Sequence, residues 1–372
     1  MKKIVIFCEH YLPGYKGGGP IRTVYNLTEQ LGKEYSFTIV ADDRDLGDEE
    51  AYPNIVYDAP NKVGNAEVWY IPPKGFTFSL IKKLTKNADV VYCCGPYRDY
   101  AYKTMLLKRF GKLKRPLVIA SMGSFSEGAF KIKSAKKQAF VFAGKLLGLF
   151  KKIVWSVTSP TEAETVKKHI GKRAQCYVAE DLPRKLTDIN ITTHGKPLRV
   201  IFLARICKIK NLRFAIEVLR EVQQEVIFDI YGTKEDMEYW QECKKALVDL
   251  PSNIRWEYKG VVQSEKVVEV FSEYDVFLFP TLGENYGHVI FEALAGGCIP
   301  IISNQTPWQD FAKKECGKVL PLQKQLFVKE IRDFVDMEEK ELLSWRQNGR
   351  IYAEWKQQES LAKTGYKKVF DL

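Results

Sequence analysis

The stretch from Phe277 to Trp308, FLFPTLGENYGHVIFEALAGGCIPIISNQTPW, decides the fold of the chain. Its apolar start predicts a strand that ends at Pro280, followed by a short loop and by a helix that begins near Tyr286 or Gly287. A second apolar run, Ile299 to Ser303, predicts the next strand. Strands that alternate with helices form parallel sheets, and these sheets bind ligands beyond the carboxyl ends of their strands. The loop before the helix is therefore a candidate binding site.

Two acids border this predicted site. Glu284 lies in the loop, and Glu292 lies two turns along the helix. Gly287 lets a ligand approach the backbone closely, and the unpaired N–H groups of a helix start favour an anion. On spacing alone, the alternative is a solvated loop acid and a surface acid, because acids are common near helix starts.

The complete string is more specific than the spacing of its acids. Pro280, Glu284, the triplet Asn285-Tyr286-Gly287, Glu292 and the pair Gly296-Gly297 follow one another in a fixed order. This string resembles the E-x7-E signature of family 4 retaining glycosyltransferases of the bacterial surface-polysaccharide type. The resemblance implies the GT-B architecture, in which two Rossmann-like, parallel-sheet α/β domains face a central cleft.

A basic element follows the first strand of the second half of the chain. Without context, Arg205 and Lys210 would be read as part of a solvated turn. The segment resembles the basic element of the same glycosyltransferase family, in which an arginine and a lysine hold the donor diphosphate. Ala204 stands where the family usually has glycine. The resemblance assigns catalytic roles to Arg205, Lys210 and Glu284, and places Glu292 on the ribose hydroxyls. The phosphate and the sugar would be lined by Asn285, Tyr286, Gly287 and His288.

A glycine-rich loop follows the first predicted strand, Lys2 to Cys8. It contains Gly17, Gly18 and Gly19, and Pro20 then suits the first turn of a helix. A strand, a glycine loop and a helix start can cradle an anion, but the same pattern also makes a tight turn. The resemblance implies that these three glycines face the donor phosphates.

The chain departs from the family at a second site. Many members have His-Gly after the strand predicted at 117–121, where this chain has Met122-Gly123. The histidine's role could pass to Ser124 or to a backbone group, so Gly123 and Ser124 are possible acceptor or sugar contacts. His10, which follows the first strand, is a third candidate, and its alternative is a packed or solvated histidine.

Composition predicts a soluble protein of two domains. The chain has 372 residues, of which 45% are hydrophobic and 28% charged. No apolar run approaches the roughly 20 residues of a membrane-spanning helix. The eight cysteines show no metal-type spacing, so reduced thiols in the cytoplasm are expected. Neither a metal nor a cofactor is expected, because Arg205, Lys210 and the helix start would neutralise the diphosphate.

The positive charge is concentrated in one segment. Residues 101–152 contain eleven lysines and two arginines against the single acid Glu127, a net charge of +12, while the whole chain carries +11. A basic amphipathic helix over 127–152 is predicted to dock on the anionic inner leaflet of the plasma membrane. Alternatively, its apolar residues cover the domain core. Nucleic acid is disfavoured as the partner, because no nucleic-acid-binding motif is present.

The predicted domains are 1–190, which would bind the acceptor, and 191–354, which would bind the nucleotide sugar. Residues 355–372 would form a helix that crosses back to the first domain. The predicted function is transfer of a sugar from a uridine diphosphate donor to a lipid-linked or saccharide acceptor in surface polysaccharide synthesis. The alternatives are a non-catalytic nucleotide-sugar or carbohydrate-binding protein and, without a local signature, an epimerase or phosphorylase.

Overall fold

The chain divides into two compact units in a computed structural model, which describes residues 1–125 and 134–372. The first unit contains Met1–Lys185 together with Ser360–Leu372, and the second contains Leu186–Glu359. The division therefore falls a few residues before the expected position 190, and the chain returns to the first unit at Ser360 rather than at residue 355.

The described strands of the first unit form an eight-stranded sheet in the order β3-β4-β2-β1-β5-β6-β7-β8. All neighbours are parallel except β3 and β4. Strand β1 is buried on both faces, as expected of a strand inside a parallel sheet. The strands are β1 (Lys2–Phe7), β2 (Tyr35–Asp42), β3 (Asn61–Val63), β4 (Ala66–Ile71), β5 (Val90–Cys94), β6 (Leu117–Ala120), β7 (Ile153–Val157) and β8 (Gln175–Val178).

Helices connect these strands. They are α1 (Gly19–Leu31), α2 (Phe78–Thr85), α3 (Asp99–Arg109), α4 (Ser134–Leu146) and α5 (Pro160–Ile170). Of the helix predicted over 127–152, residues 127–133 lie outside the described residues. The described part ends at Leu146, earlier than predicted, because Gly148 adopts a left-handed conformation (φ 63°) that interrupts the helix.

The second unit contains a six-stranded sheet in the order β11-β10-β9-β12-β13-β14, parallel throughout. Its strands are β9 (Leu198–Leu203), β10 (Val226–Tyr231), β11 (Ile254–Gly260), β12 (Val276–Phe279), β13 (Ile299–Ser303) and β14 (Lys318–Leu320). The order reverses at β9, which lies between β10 and β12. Ligands of open parallel sheets bind at such a reversal, beyond the carboxyl ends of the strands.

The helices of the second unit are α6 (Leu212–Leu219), α7 (Met237–Val248), α8 (Val267–Ser272), α9 (His288–Ala295), α10 (Lys324–Asp336) and α11 (Glu339–Ala362). Helix α11 continues past residue 354, the predicted end of the second domain, to Ala362, because neither proline nor glycine occurs between residue 354 and Gly365. A short final helix, α12 (Tyr366–Phe370), belongs to the first unit.

A buried ion pair holds the second unit together. The guanidinium of Arg346 on α11 is fully buried, and its Nη1 lies 3.0 Å from Oδ1 of Asp275. Its other nitrogens donate to the carbonyls of Gly297 (2.9 Å) and Ser272 (2.7 Å). Each nitrogen of the guanidinium therefore has a hydrogen-bond acceptor, as a buried cation requires.

All eight cysteines are free thiols. Cys176 on β8 is half-buried, and the other seven are buried. Among the described residues, no helix combines the length and apolarity needed to cross a bilayer.

Candidate active site

The loop that follows β12 is tied to the loop that follows β9. The amide of Leu282 donates to the carbonyl of Ile209 (2.8 Å), and Thr281 Oγ1 donates to the same carbonyl (3.0 Å). Asn211 adopts the left-handed conformation (φ 60°), and its side-chain amide donates to the carbonyl of Pro280 (2.9 Å). Because β9 and β12 are neighbours, their two loops meet at the carboxyl edge of the sheet.

Lys210 and Glu284, which were predicted separately, are brought into contact by these two loops. The ammonium group of Lys210 donates to the carboxylate of Glu284, and both side chains are largely buried, with 14% and 12% exposed. The ammonium group also lies 5.7 Å from the centre of the Phe279 ring. The Glu284 amide donates to the carbonyl of Gln305 (3.2 Å), which fixes the loop from the other side.

Arg205 binds a partner that the sequence did not indicate. Its guanidinium donates to the carboxylate of Glu235, in a pair that is partly exposed. The loops that carry the pair are joined by the bond from the Ile206 amide to the carbonyl of Thr233 (2.8 Å). Gly232 lies so close to Ala204 that a Cβ there would come within 1.7 Å of the Ala204 carbonyl oxygen. The predicted pair of Arg205 and Lys210 is thus held by two acids.

The remaining predicted residues lie at the start of α9. Gly287 precedes the helix in a left-handed conformation (φ 83°), which favours glycine. His288 and Glu292 are four residues apart, so they lie on one face of α9, and both are buried. Tyr286 is also buried, its ring 4.7 Å from that of His288, and its carbonyl accepts a bond from Trp308 Nε1. Asn285 is exposed in the same loop.

The glycine-rich loop of the first unit already binds a carboxylate of the chain itself. The amides of Tyr15 and Lys16 donate to Asp45 Oδ2 at 2.7 and 3.0 Å, and Asp45 is buried. Gly18 caps α1 with a left-handed φ of 65°. A side chain at Gly17 would contact Ile21 and His10, whereas Gly19 faces open space. The predicted anion cradle therefore has two of its amides occupied by Asp45.

His10 lies among charged groups at the carboxyl edge of the first sheet. Its Nδ1 lies 3.1 Å from the carbonyl oxygen of Arg44, and its Nε2 lies 3.9 Å from Oε2 of Glu9. Arg98, which follows β5, pairs with Glu9. Burial raises the pKa of the nearby Asp42 to about 6, against the lowering effect of the His10 charge. His10 is therefore neither fully solvated nor packed in an apolar core.

Gly123 and Ser124 lie in a loop after β6 that is held by Glu162 of α5. The Gly123 amide donates to Glu162 Oε1 (2.6 Å), and the Ser124 amide donates to the carbonyl of Ser121 (2.9 Å). Met122 and Gly123 both adopt the left-handed conformation, with φ of 46° and 70°. Glu162 was not predicted from the sequence, where it reads as an ordinary helix-start acid.

A family model matches most of the second unit. Residues 185–352 match the model of the family described as glycosyl transferases group 1. This match covers nearly the whole unit, including Lys210, Glu284 and Glu292. No curated protein matches the sequence.

Solved structures resemble the whole chain at low sequence identity. Sucrose-phosphate synthase from Thermosynechococcus elongatus is 16% identical with a TM-score of 0.68, and the comparison covers 100% of both chains. Anabaena HepE in complex with UDP-glucose is 12% identical with a TM-score of 0.70, also over 100% of both chains. The pneumococcal O-GlcNAc transferase GtfA, in complex with UDP and GlcNAc, is 14% identical with a TM-score of 0.64, over 100% of this chain and 98% of the other.

These likenesses confirm the predicted fold class. The chain has two parallel-sheet α/β domains of the GT-B type that glycosyltransferases share. The family model of the group 1 glycosyl transferases matches most of its second domain.

Proposed function

We propose that the chain is a metal-independent, retaining glycosyltransferase that moves a sugar from a UDP-sugar to an acceptor. The observation that carries this proposal is the contact between Lys210 and Glu284 beside the start of α9. It places a largely buried cation, a carboxylate and a helix start at the carboxyl edge of the second sheet, where a sugar diphosphate would need all three.

The chemistry of the proposed reaction is stabilisation of the leaving diphosphate. As the bond from the anomeric carbon to the phosphate oxygen breaks, negative charge grows on the diphosphate. Without a donor, Lys210 binds the carboxylate of Glu284 and Arg205 binds that of Glu235. Each cation would exchange its carboxylate for phosphate oxygens when the donor binds. Two cations and the helix start would then supply the positive field, so that no divalent metal is needed.

Glu284 would bind hydroxyls of the donor sugar rather than attack the anomeric carbon. A hydrolase with two carboxylates needs them opposite each other across the sugar bond, whereas Glu284 is paired with Lys210 in the free structure and Glu292 is buried on α9. Retention would follow from front-face substitution, in which the departing phosphate takes the acceptor's proton.

UDP is favoured as the nucleotide because HepE binds UDP-glucose and GtfA binds UDP. Glu292, which is buried on α9, would accept hydrogen bonds from the ribose hydroxyls. The acceptor would bind to the first unit, and a lipid-linked or saccharide acceptor in surface polysaccharide synthesis suits a peripheral protein of the cytoplasmic membrane face.

The membrane part of the proposal rests on an exposed apolar patch bordered by lysines. Phe142 and Leu146 on α4 are 72% and 78% exposed, and Phe110 after α3 is 69% exposed. Arg109 Nε donates to the carbonyl of Leu147 (3.0 Å), so the ends of α3 and α4 are adjacent. Lys136 and Lys145 on α4 are exposed as well. Apolar side chains among lysines are suited to an anionic bilayer surface.

A nucleotide-sugar panel tests the proposed function. Thermal shift with UDP-glucose, UDP-GlcNAc, UDP-galactose and GDP-mannose should find a donor that raises the unfolding temperature, because ligands stabilise the state that they bind. UDP release from that donor should survive EDTA. Lys210→Ala should weaken both effects, whereas Lys259→Ala, which removes an exposed partner of Glu257 in the same unit, should leave both unchanged.

Two outcomes would overturn the proposal. Stabilisation by a nucleotide sugar without UDP release, for every acceptor offered, would indicate the non-catalytic binding protein instead. Turnover that is lost with EDTA and restored by Mg²⁺ would contradict the metal-independent mechanism.

A further inference from the structure

The carboxylate of Glu162 accepts four hydrogen bonds, divided between two loops. Its Oε1 accepts from Ser121 Oγ (2.7 Å) and from the Gly123 amide (2.6 Å), both in the loop after β6. Its Oε2 accepts from the amide of Thr158 (2.7 Å) and from Thr158 Oγ1 (2.9 Å), in the loop after β7. Hydrogen bonds to a charged acceptor are stronger than neutral ones, so this one side chain joins the two loops firmly.

Helix capping explains only half of these bonds. Ser159 caps α5, since its Oγ accepts from the Glu162 amide (3.1 Å), and Ser159 and Glu162 have the spacing of a capping box. The Glu of a capping box reaches back to the backbone at the helix start, as Oε2 does here towards Thr158. The two bonds of Oε1 reach a different strand connection and add nothing to the cap.

The loop that Oε1 holds has a backbone that needs support. Met122 and Gly123 are consecutive left-handed residues, and this conformation is unfavourable for a residue other than glycine. Glu162 binds residues on both sides of Met122. Phe125, the last described residue of this segment, places its ring 5.6 Å from that of Trp155 and 5.7 Å from that of His169 on α5. Helix α5 thus contacts both ends of the segment 121–125.

We propose that Glu162 is a positioning residue, which fixes the Ser121–Phe125 loop so that Ser124 and the Met122 backbone meet the acceptor sugar. The proposal rests on the proposed glycosyl transfer and on the position of this loop at the carboxyl edge of β6, where parallel sheets bind ligands. Glu162 itself does not contact the substrate. Because the Gly123 amide is bound by Glu162, the loop does not offer that amide to an anion. The loop is therefore suited to a neutral sugar rather than a phosphate.

Two matched variants separate positioning from stability. Ser121→Ala removes one hydroxyl bond from Oε1, on the loop side, and Thr158→Ala removes one hydroxyl bond from Oε2, on the helix side. Glu162→Gln keeps the shape but offers only one acceptor oxygen, so it cannot serve both loops. The readouts are hydrogen exchange of the peptide that contains 121–125, and kcat and KM for UDP release from UDP-glucose with octyl glucoside as the acceptor probe.

Ser121→Ala and Glu162→Gln should speed exchange of the loop and lower kcat by about tenfold or more, with an unchanged KM for UDP-glucose. Thr158→Ala should leave both readouts within about twofold of the wild type. The positioning role is overturned if Thr158→Ala lowers kcat as much as Ser121→Ala does, or if the loop exchanges faster while kcat stays the same.

Exchange also separates this inference from the proposed function. If the wild type releases no UDP from any nucleotide sugar, the proposed function fails, and the role of Glu162 in transfer fails with it. If the wild type is active but the loop exchanges at one rate in all variants, only the positioning role of Glu162 is overturned.

Discussion

The ammonium group of Lys210 binds the carboxylate of Glu284, although the two residues are separated by 74 positions in the chain. The contact closes the carboxyl edge between β9 and β12, because each residue lies in the loop that follows one of these strands. In the proposed mechanism, the donor diphosphate would take the place of Glu284 on Lys210.

Replacing Glu284 should separate binding from turnover. Glu284→Gln removes the charge that competes with the diphosphate for Lys210, so the affinity for UDP should stay the same or rise, while turnover falls because a sugar contact is altered. Lys210→Ala, in contrast, should weaken UDP binding by about tenfold or more, since bonds to charged groups contribute about 1.5–3 kcal/mol. Calorimetry measures the affinity of each variant for UDP, and UDP release from the donor measures turnover. Weaker UDP binding by Glu284→Gln would mean that the acid is needed to orient Lys210.

Gly232 should tolerate no side chain. Its φ is 142°, and an added Cβ would lie 1.7 Å from the carbonyl oxygen of Ala204, so Gly232→Ala must displace the loop that carries Arg205. We expect a lower unfolding temperature and lost UDP binding. Gly260→Ala is the matched control, since φ is also positive there (86°) but a Cβ would meet open space. Its cost should be limited to backbone strain of about 1–2 kcal/mol, with UDP binding retained. Equal effects of the two variants would contradict the close approach of Gly232 to Ala204.

Asp42 should make the first unit less stable as the pH rises. Burial raises its pKa from the ordinary 3.8 to about 6, so the folded chain holds this proton more tightly than the unfolded chain. The stabilisation from this proton is complete below the pKa of the unfolded chain, and it is lost as the pH rises through the pKa of the folded chain. Asp42→Asn should therefore raise the unfolding temperature at pH of about 8 and change it little near pH 4. Thermal unfolding at the two pH values is the measurement.

Asp43 provides a control, because its replacement should change the unfolding temperature in the opposite direction. Its carboxylate accepts bonds from Arg44 Nε (2.8 Å) and from the Tyr57 hydroxyl (2.8 Å). Asp43→Asn should lower the unfolding temperature at pH of about 8, because it weakens both bonds. If both substitutions shift the unfolding temperature in the same direction, the interpretation of Asp42 is wrong.

The buried pair of Arg346 and Asp275 should dominate the stability of the second unit. Arg346→Ala leaves Asp275 without its cation and two carbonyls without a donor, which should cost about 3–5 kcal/mol of unfolding free energy. Arg213→Ala breaks an exposed pair with Glu217 and should cost less than about 1 kcal/mol. Urea denaturation followed by tryptophan fluorescence compares the two. A small loss for Arg346→Ala would show that water replaces the guanidinium.

Binding to vesicles should depend on both the charge and the apolar residues of α4. Lys136→Glu with Lys145→Glu should weaken sedimentation with phosphatidylglycerol vesicles, and so should Phe142→Ser with Leu146→Ser. Lys137 is a poorer choice for this test, because its ammonium group lies 5.5 Å from the centre of the Tyr97 ring and is used within the fold. Lys245→Glu, on the exposed face of α7, is the control. Added salt should weaken binding of the wild type, and binding that ignores salt would remove the membrane proposal.

The fold was predictable because its strands are continuous apolar runs separated by helical patterns. Strand β13 has the predicted bounds, Ile299–Ser303. The short strands β3, β8 and β14 were not predicted as strands, because runs of three or four residues show no clear period. The end of α11 was missed because its last turns carry no terminating signal before Gly365.

The candidate site was predictable only where one stretch of sequence contains it. The start of α9 is read directly from the motif around Glu284 and Gly287. Glu235, Asp45 and Glu162 were missed because each binds residues about 30 or 40 positions away, and an acid in a loop or at a helix start looks the same whether it is solvated or fully bonded. Only the spatial pairing of strands reveals which loops such an acid joins.

The thiols of this chain offer a practical consequence. Because Cys176 is half-buried on the edge strand β8 while the other cysteines are buried, a maleimide fluorophore added to the native protein should attach at one position without any prior removal of cysteines. Burial raises the pKa of the Cys176 thiol, so labelling should quicken in mildly alkaline buffer. The dye would then report on the first unit alone, whereas additional uptake of label would report the unfolding of either unit, because buried cysteines lie in both.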